Sequence, residues 1–461
     1  MAIPKAGSEP LAGLGSFLEP YSVLVRRAES RHALERYTTG LLSDLSRKTA
    51  SDLGRAIPDT NGQRLQEFLT RTAWDAAEMD RLRIKHMVEH ARVGGGALVI
   101  DDTGFAKKGT HSVGVTRQYS GTLGRVDNCQ VMVSAHYVDR VFDWPVTARL
   151  YLPEEWANDR ARRARMRVPE DLPFQTKGEI ALTLIDRAGE AGVRPSAVVT
   201  DAGYGDQGQF LDGLDQRHLP YVVGVKSSLR FRTAEAVRGD SGEAVAPAYS
   251  GRGRPRRNRQ LQDRVSARDA RSLLAGVDED AWSTIGWREG TKGALVKQFV
   301  RVRVYRTGPR GAHIDSDGWL IGERPIPGHA GDKKCYFAHA LDESTLEDLV
   351  DLAHVRWVVE RFYQDAKGEL GLDDYEGRFW TGFHRHVALV MLAHSYLTLR
   401  QSYGPEVTAQ SPPDAGAITP PPSSPHARGF PPSSSTKHRS APKRGSRGAV
   451  PTGGRKRHGD S

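Results

Sequence analysis

The sequence predicts an α/β protein: a mixed-sheet core, preceded by a helical segment and interrupted by a β-rich stretch. Three observations carry this. Apolar residues recur at helical spacing over residues 17–92. From Gly94 onward, apolar runs of strand length appear, first in succession and then alternating with helical patterns. Two of those runs, Ala97-Leu98-Val99-Ile100 and Ala197-Val198-Val199-Thr200, stop at an aspartate.

Taken in order, residues 1–93 form a helical domain expected to bind DNA, with a frayed Gly/Pro/Ala-rich start over residues 1–15. Leu34, Tyr37, Leu41 and Leu42 make one apolar stripe, Leu65, Phe68, Leu69 and Trp74 a second, and Met79, Leu82, Ile84 and Met87 a third. Arg26-Arg27 and Arg47-Lys48 are expected to put cations on its exposed faces. Residues 94–225 form the first part of the core. They hold strands at 97–100, 112–119, 130–138, 142–152, 198–200 and 221–225, a turn at 121–128 and an amphipathic helix at 176–189. Residues 226–340 read as a β-rich insertion, with strands at 295–305, 318–322 and 334–338. Residues 341–403 return to helix, at 344–370 and 380–403, to complete the core. Residues 404–461 are rich in Pro, Ser and Arg and cannot bury a core, so they read as a disordered basic tail.

The 461 residues carry a formal charge of +10, which suits a polyanionic partner such as nucleic acid. Residues 401–461 hold nine Lys/Arg against three acids, or +6 of that +10, so any DNA-binding face elsewhere is a patch. The two cysteines, Cys129 and Cys335, form no CxxC pair, which argues against a zinc finger or a disulfide scaffold and fits a reducing cytoplasm. No apolar run reaches the roughly eighteen residues of a membrane span, and no signal peptide is apparent.

Chemistry concentrates in three places. Asp101-Asp102-Thr103-Gly104 follows the first buried run, and Asp201 follows the second, with Gly203, Gly205 and Asp206 close behind. Each aspartate has a plain alternative as a turn opener, and Asp206 reads as the cap of a helix starting near Gln207. On the helix near residue 360, Arg356, Glu360 and Lys367 share a face, which alone is an ordinary charge ladder. Strand-Asp, strand-Asp, helix-Glu is, however, the order in which a ribonuclease-H-like fold assembles hard oxygen ligands for two divalent metals. Softer features are Arg252-Gly253-Arg254-Pro255, which matches the core of a minor-groove AT-hook or is a solvated basic loop. Trp282, Trp287 and Trp319 are candidates to stack on a flipped end base, against the commoner role of core residues. His384, His386 and His394 read as surface or packing residues rather than ligands.

These residues resemble the DDE transposases of bacterial insertion sequences, in the group whose glutamate helix bears a Tyr-x2-Arg-x3-Glu-x6-Lys signature. Arg356, Glu360 and Lys367 match its last three positions, and Ala353 stands where the tyrosine would be. The runs Asp101 to Gly109, Ser112 to Val115, Arg117 to Gly121, Asp127 to Gln130 and Lys367 to Asp373 are similar to the insertion sequence 701 group. So are Leu65-Gln66-x-Phe68-Leu69 and Trp74-Asp75. The resemblance spans about residues 17–400. It implies two Mg2+ (or Mn2+) ions held by Asp102, Asp201 and Glu360, with Asp101 the alternative to Asp102. Relatives have an acid-Asp-Thr triplet whose middle residue binds metal, which favours Asp102. It also implies contacts to DNA from Arg356 and Lys367; Lys107 and Lys108, and Arg252 and Arg254 through the AT-hook match, are further expected DNA contacts. The implied substrates are double-stranded transposon ends and target DNA, cut and joined by a dimer in the bacterial cytoplasm, at the nucleoid. The tail lacks the Trp/Arg/His-rich basic helix common in relatives. That leaves open a catalytically impaired DNA-binding relic, or a nuclease without strand transfer.

Overall fold

The structure is a computed structural model that describes residues 11, 13–90, 95–122, 124–233, 244–245, 260–261, 267–290, 293–307 and 313–403. Arg252, Arg254, the 404–461 tail and most of residues 1–15 lie outside the described residues. The chain forms two compact units, one built from residues up to Val199 together with those from Val355 onward, the other from Thr200–His354.

The first unit opens with helices α1 (Leu14–Leu18), α2 (Ala28–Leu41), α3 (Ala50–Ala56), α4 (Gly62–Thr70) and α5 (Ala76–His90). The α3 and α4 starts are set by side-chain caps, Thr49 accepting from Asp52 N and Asn61 from Arg64 N. All three apolar stripes face inward except at Leu42 and Leu82, which are half-buried. Arg26, Arg27 and Arg47 are exposed as expected, but Lys48 is 3% exposed. Its ammonium closes a ring of carbonyls, donating to Leu41 O at 2.6 Å, Ser43 O at 2.7 Å and Glu369 O. Those acceptors are orphaned carbonyl groups at helix ends and turns, and a buried Lys satisfies several at once.

The sheet of this unit comprises β1 (Ala97–Ala106), β2 (Thr116–Ser120), β3 (Arg125–Val138), β4 (Asp143–Leu150) and β5 (Ala197–Thr200), ordered β5-β1-β3-β2 with β4 also pairing β3. Residues 112–115 turn instead of extending, because Gly114 takes a left-handed φ of 72°. The β2–β3 turn is confined to residues 121–124, so 125–128 are strand and not loop. Short helices α6 (Glu154–Ala157) and α7 (Arg160–Arg165) lead to α8 (Lys177–Glu190), which begins at a capping box of Thr176 and Glu179.

The second unit starts with α9 (Ala202–Gly205) and α10 (Gly208–Gln216), followed by β6 (Tyr221–Val225) and β7 (Arg230–Arg232). After β8 (Ala244–Val245), paired with β9 (Gln260–Leu261), come β10 (Arg268–Asp269), α11 (Ala270–Leu274), β11 (Ser283–Gly290), β12 (Gly293–Thr307), β13 (His313–Arg324), β14 (Lys334–His339) and α12 (Leu346–His354). Its strands run β10-β7-β12-β13-β14-β6, with β11 on β12. The three tryptophans here already have company. Trp287 stacks on His354 at 4.3 Å, Trp319 lies under Arg301 at 4.4 Å, and Trp282 lies under Arg324 at 4.0 Å.

A buried ionic cluster ties β12, β13, β14 and α12 together. Glu323 accepts from Lys297, from Tyr336 Oη at 2.7 Å, and meets His354 Nε2 at 3.1 Å. Burial pushes its carboxyl up, but the bond and charge of His354, with Lys297 and Tyr336, prevail and bring it down to about 2. A carboxyl lowered in the folded state stabilises above its ordinary value of 4.5, and that stability is lost as pH falls towards about 2. Urea melts of Glu323→Gln should therefore show a flatter pH dependence than the parent between those values. An unchanged slope would show that Glu323 is not linked to folding.

After α12 the chain returns to the first unit as α13 (Trp357–Gly368) and the long α14 (Trp380–Tyr403). The expected single helix over 344–370 is thus two, broken at Val355 and Arg356 without a Gly or Pro. His354 closes α12 with its Nδ1 on Val350 O at 2.8 Å, and Arg356 starts α13 afresh as its N-cap. α14 is the spine of the first unit's helical layer. Tyr37 Oη bonds the His386 ring at 2.8 Å, and Arg83 on α5 reaches Ser395 Oγ at 3.1 Å. His384, His386 and His394 are packing residues, each brought down to about 4, first by burial. Among the described residues no helix is long and apolar enough to cross a membrane.

Candidate active site

The site grows from the alternation of β1. Successive side chains of a strand leave opposite faces, so Asp101 and Thr103 share one face and Asp102 takes the other. Helix α13 covers the Asp101 face and α8 contributes to the Asp102 face. On the first, Arg356 Nη1 donates to Asp101 Oδ2 at 2.8 Å, while its Nη2 donates to Glu360 Oε1 at 2.5 Å. One guanidinium thus joins the β1 carboxylate to the glutamate one helical turn further on. Lower on the same helix, Lys367 Nζ donates to Thr103 Oγ1 at 2.8 Å and to Gly104 O at 2.9 Å. Arg356, Glu360 and Lys367 share a helix face as their spacing requires, and that face is turned to the strand.

On the other face, Lys177 at the first position of α8 donates to Asp102 Oδ2 at 2.9 Å. The structure therefore brings Asp101, and not Asp102, to Glu360. Lys177 escaped the sequence reading, although the Thr176-x-x-Glu179 capping box marks the helix start that places it.

Behind Asp101 lies a polar layer that the sequence did not reveal. Ser134 on β3 is paired with Asp101 in register, and its hydroxyl meets Tyr363 Oη at 2.6 Å and His136 Nε2 at 2.8 Å. Burial, then the charge of Asp101, pushes the Tyr363 hydroxyl well up, so it stays protonated. Burial, then His394 and Arg83, brings His136 down to about 3, so the imidazole is neutral. The layer is thus uncharged, and Asp101, 7% exposed, relies on Arg356 for its balancing cation.

Asp201 opens the second unit as the N-cap of α9, accepting from Gly203 N at 2.9 Å and Tyr204 N at 3.4 Å. The glycines behind it answer to close packing. A Cβ on Gly205 would stand 1.9 Å from Gly224 O, and one on Gly224 would stand 2.9 Å from Ala202 N. Asp206 does not cap α10, whose N-cap is Gln207 without a side-chain bond. It instead accepts from Lys226 N at 3.0 Å and pairs with Lys226 Nζ at 3.0 Å. Lys107 is spent on Tyr375 O at 2.9 Å, whereas Lys108 is exposed.

The donor chemistry fits a hard divalent cation, since the candidates are carboxylate oxygens and two of them already converge on one positive group. Among the described residues, no three His, Cys, Asp or Glu side chains form a ready metal cage.

Residues 20–294 match the family described as DDE superfamily endonuclease. The matched stretch contains Asp101, Asp102 and Asp201 and ends before Glu360. The chain is also 30% identical over 229 residues to a probable transposase for insertion sequence element IS701 from Microchaete diplosiphon. That likeness covers 50% of this chain and 57% of the relative, so the chain spans somewhat more than half the relative's length. With more than half of its length matched, on an α/β fold of the ribonuclease-H type, the chain belongs to the DDE superfamily endonucleases.

Proposed function

We propose that the protein is a DNA transposase that cuts at the ends of an insertion sequence and joins the freed strand to target DNA. Asp101, Asp201 and Glu360 are its carboxylates. The observation that carries this reading is the Arg356 guanidinium held between Asp101 and Glu360. It also moves the proposed β1 ligand from Asp102 to Asp101. DDE enzymes generally use divalent metal ions. Such ions, when bound by these carboxylates, neutralise the scissile phosphate and activate the attacking oxygen.

The chain's own residues supply the rest. Arg356 keeps two mutually repelling carboxylates on one face of β1. Water attacks the phosphorus at the transposon end and the 3′ oxygen leaves as a 3′-hydroxyl. That hydroxyl, losing its proton, then attacks a target phosphorus, and the 3′ oxygen of the target strand leaves in its place. Lys367 rests on neutral acceptors, so its charge is free to meet a phosphate.

The test is incubation of the full chain with end-containing DNA in Mg2+ or Mn2+. Nicking and joining are expected. Binding without nicking would instead leave a DNA-binding relic. Asp101→Asn should abolish nicking and Asp102→Asn should reduce it less; the reverse order returns the ligand to Asp102. Lys367→Ala should also weaken end binding and flatten log K against log salt by about 0.9 for the lost contact. Arg356→Ala should change that slope less, because two carboxylates already balance its charge. Equal slopes for both variants and the parent would mark this helix face as structural.

A further inference from the structure

A cavity of about 350 Å³ lies in the first unit, away from Arg356, between β4, the start of α5, the end of α8 and α14. Its volume is within the range of small-molecule sites. Three arginines reach it: Arg149, Arg187 and Arg385. Arg149 and Arg385 are 7% and 6% exposed, and Arg187 is exposed. None of the three has a carboxylate within salt-bridge distance among the described residues. Arg149 donates to the neutral amide of Gln175. Arg385 donates to two carbonyls, Leu69 O at 3.2 Å and Trp74 O, and its Nε is buried with no partner. The acids at the cavity have other partners, although the charge of Asp75 still acts on Arg385 and opposes the effect of its burial. Asp75 caps α5, accepting from Ala77 N at 2.8 Å and Glu78 N at 2.9 Å, and Asp80 pairs with Arg83.

Burying a guanidinium without a carboxylate in pairing distance is costly, and for Arg149, with Arg187 beside it, a second like charge adds to the cost. Burial, then the charge of Arg187, brings Arg149 down to about 10. An anion entering the cavity would relieve both. The walls are not those of a simple phosphate site, however. Trp380, Leu172 and Met391 add a broad apolar surface that a bare phosphate would leave unused.

We infer that this cavity binds a nucleotide unit, with its phosphate on Arg149 and Arg187 and its base against the apolar wall. Register places the cavity relative to the acids. Arg149 pairs with Val133, and Val133 with Asp102, so all three side chains share the α8 face of the sheet. Arg149 thus stands two strand spacings, about 10 Å, from Asp102. The nucleotide comes either free from solution or from a single-stranded or flipped position in DNA, since both offer the same ring and phosphate. The site does not depend on the proposed strand chemistry.

The experiment is titration calorimetry of the full chain with 2′-deoxyadenosine 5′-monophosphate. Saturable one-site binding is expected. Arg187→Glu, a surface change, should weaken it by roughly tenfold or more without moving the melting transition. Arg149→Gln should weaken it as well. Inorganic phosphate should bind at least roughly tenfold more weakly than the nucleotide; equal binding would overturn the base half of the assignment. A single-stranded oligonucleotide carrying one 2-aminopurine separates the sources. Its fluorescence should be quenched, and restored by the nucleotide, if DNA is the natural occupant; quenching without competition leaves the free nucleotide. No binding of the nucleotide, or a folded Arg187→Glu that binds it as the parent does, overturns the proposal. Asp101→Asn should bind the nucleotide normally, which keeps this test distinct from that of DNA cleavage.

Discussion

Glu360→Gln is expected to lower cleavage of end-containing DNA by about 10²–10³-fold while leaving the melting transition where it is. The second half of the expectation makes the first interpretable. The Glu360 side chain is 57% exposed and its partner Arg356 keeps Asp101, so the exposed pair contributes little to folding. A lost rate in a protein of unchanged stability is then a lost metal ligand or charge in the reaction. Asp201→Asn has a similar built-in control. Asparagine caps a helix about as well as aspartate, so α9 keeps its N-cap while the negative charge is removed. Asp101→Asn lacks that protection, because it breaks a pair with a side chain 10% exposed, and its melting curve has to be measured beside its activity. Gel-based cleavage assays with matched thermal melts check all three. Parent-like cleavage by any one of them removes that residue from the reaction.

The largest effect on stability is expected at Arg83. This side chain is fully buried on α5, where it donates to Pro145 O at 2.7 Å, to Val146 O and to Ser395 Oγ, and pairs with Asp80. It therefore joins the N-terminal helices to β4 and to α14 through one planar group. Arg83→Ala strands Asp80 and leaves carbonyl oxygens of Pro145 and Val146 without a donor. The cost should be about 3–5 kcal/mol, read from the shift of the urea midpoint at constant slope. Arg83→Lys should recover little, since an ammonium cannot reach several acceptors in that plane. A loss below about 1 kcal/mol for Arg83→Ala would mean that the surroundings relax or admit water.

The strand-end aspartates and the Arg-Glu-Lys spacing were legible because both rest on short-range pattern. A run of Ala-Leu-Val-Ile before an acid is a strand with a carboxylate near its end, and three residues at intervals of four and seven share a helix face whatever surrounds them. What escaped depends on partners distant in sequence. Alternation says that Asp101 and Asp102 leave β1 on opposite faces, but which face meets α13 is settled by packing over more than two hundred residues. Lys48 looked like a surface cation, and nothing local shows that Leu41, Ser43 and Glu369 present carbonyls to it. The break at Val355 and Arg356 carries no Gly or Pro. Asp206 has the right spacing for a cap, and Lys226, twenty residues on, takes it instead. The same holds for Arg149 and Arg385, which are ordinary residues of a strand and a helix until α8, α5 and α14 are brought around them.

One consequence of the β1–β3 ladder reaches beyond architecture. Asp101 and Asp102 are chemically identical, so no property of the side chain distinguishes a ligand from its neighbour. Parity does: one stands at an odd place along the strand and the other at an even place. Ten consecutive pairs from Ala97↔Val138 to Ala106↔Cys129 hold that count. A slip by one place would exchange the two carboxylates between Arg356 and Lys177 without altering a single atom of either. A single-residue insertion inside the paired run, between Ala97 and Ile100, is therefore expected to be as damaging as losing the acid itself, and removing a different residue between the insertion and Asp101 should mend it.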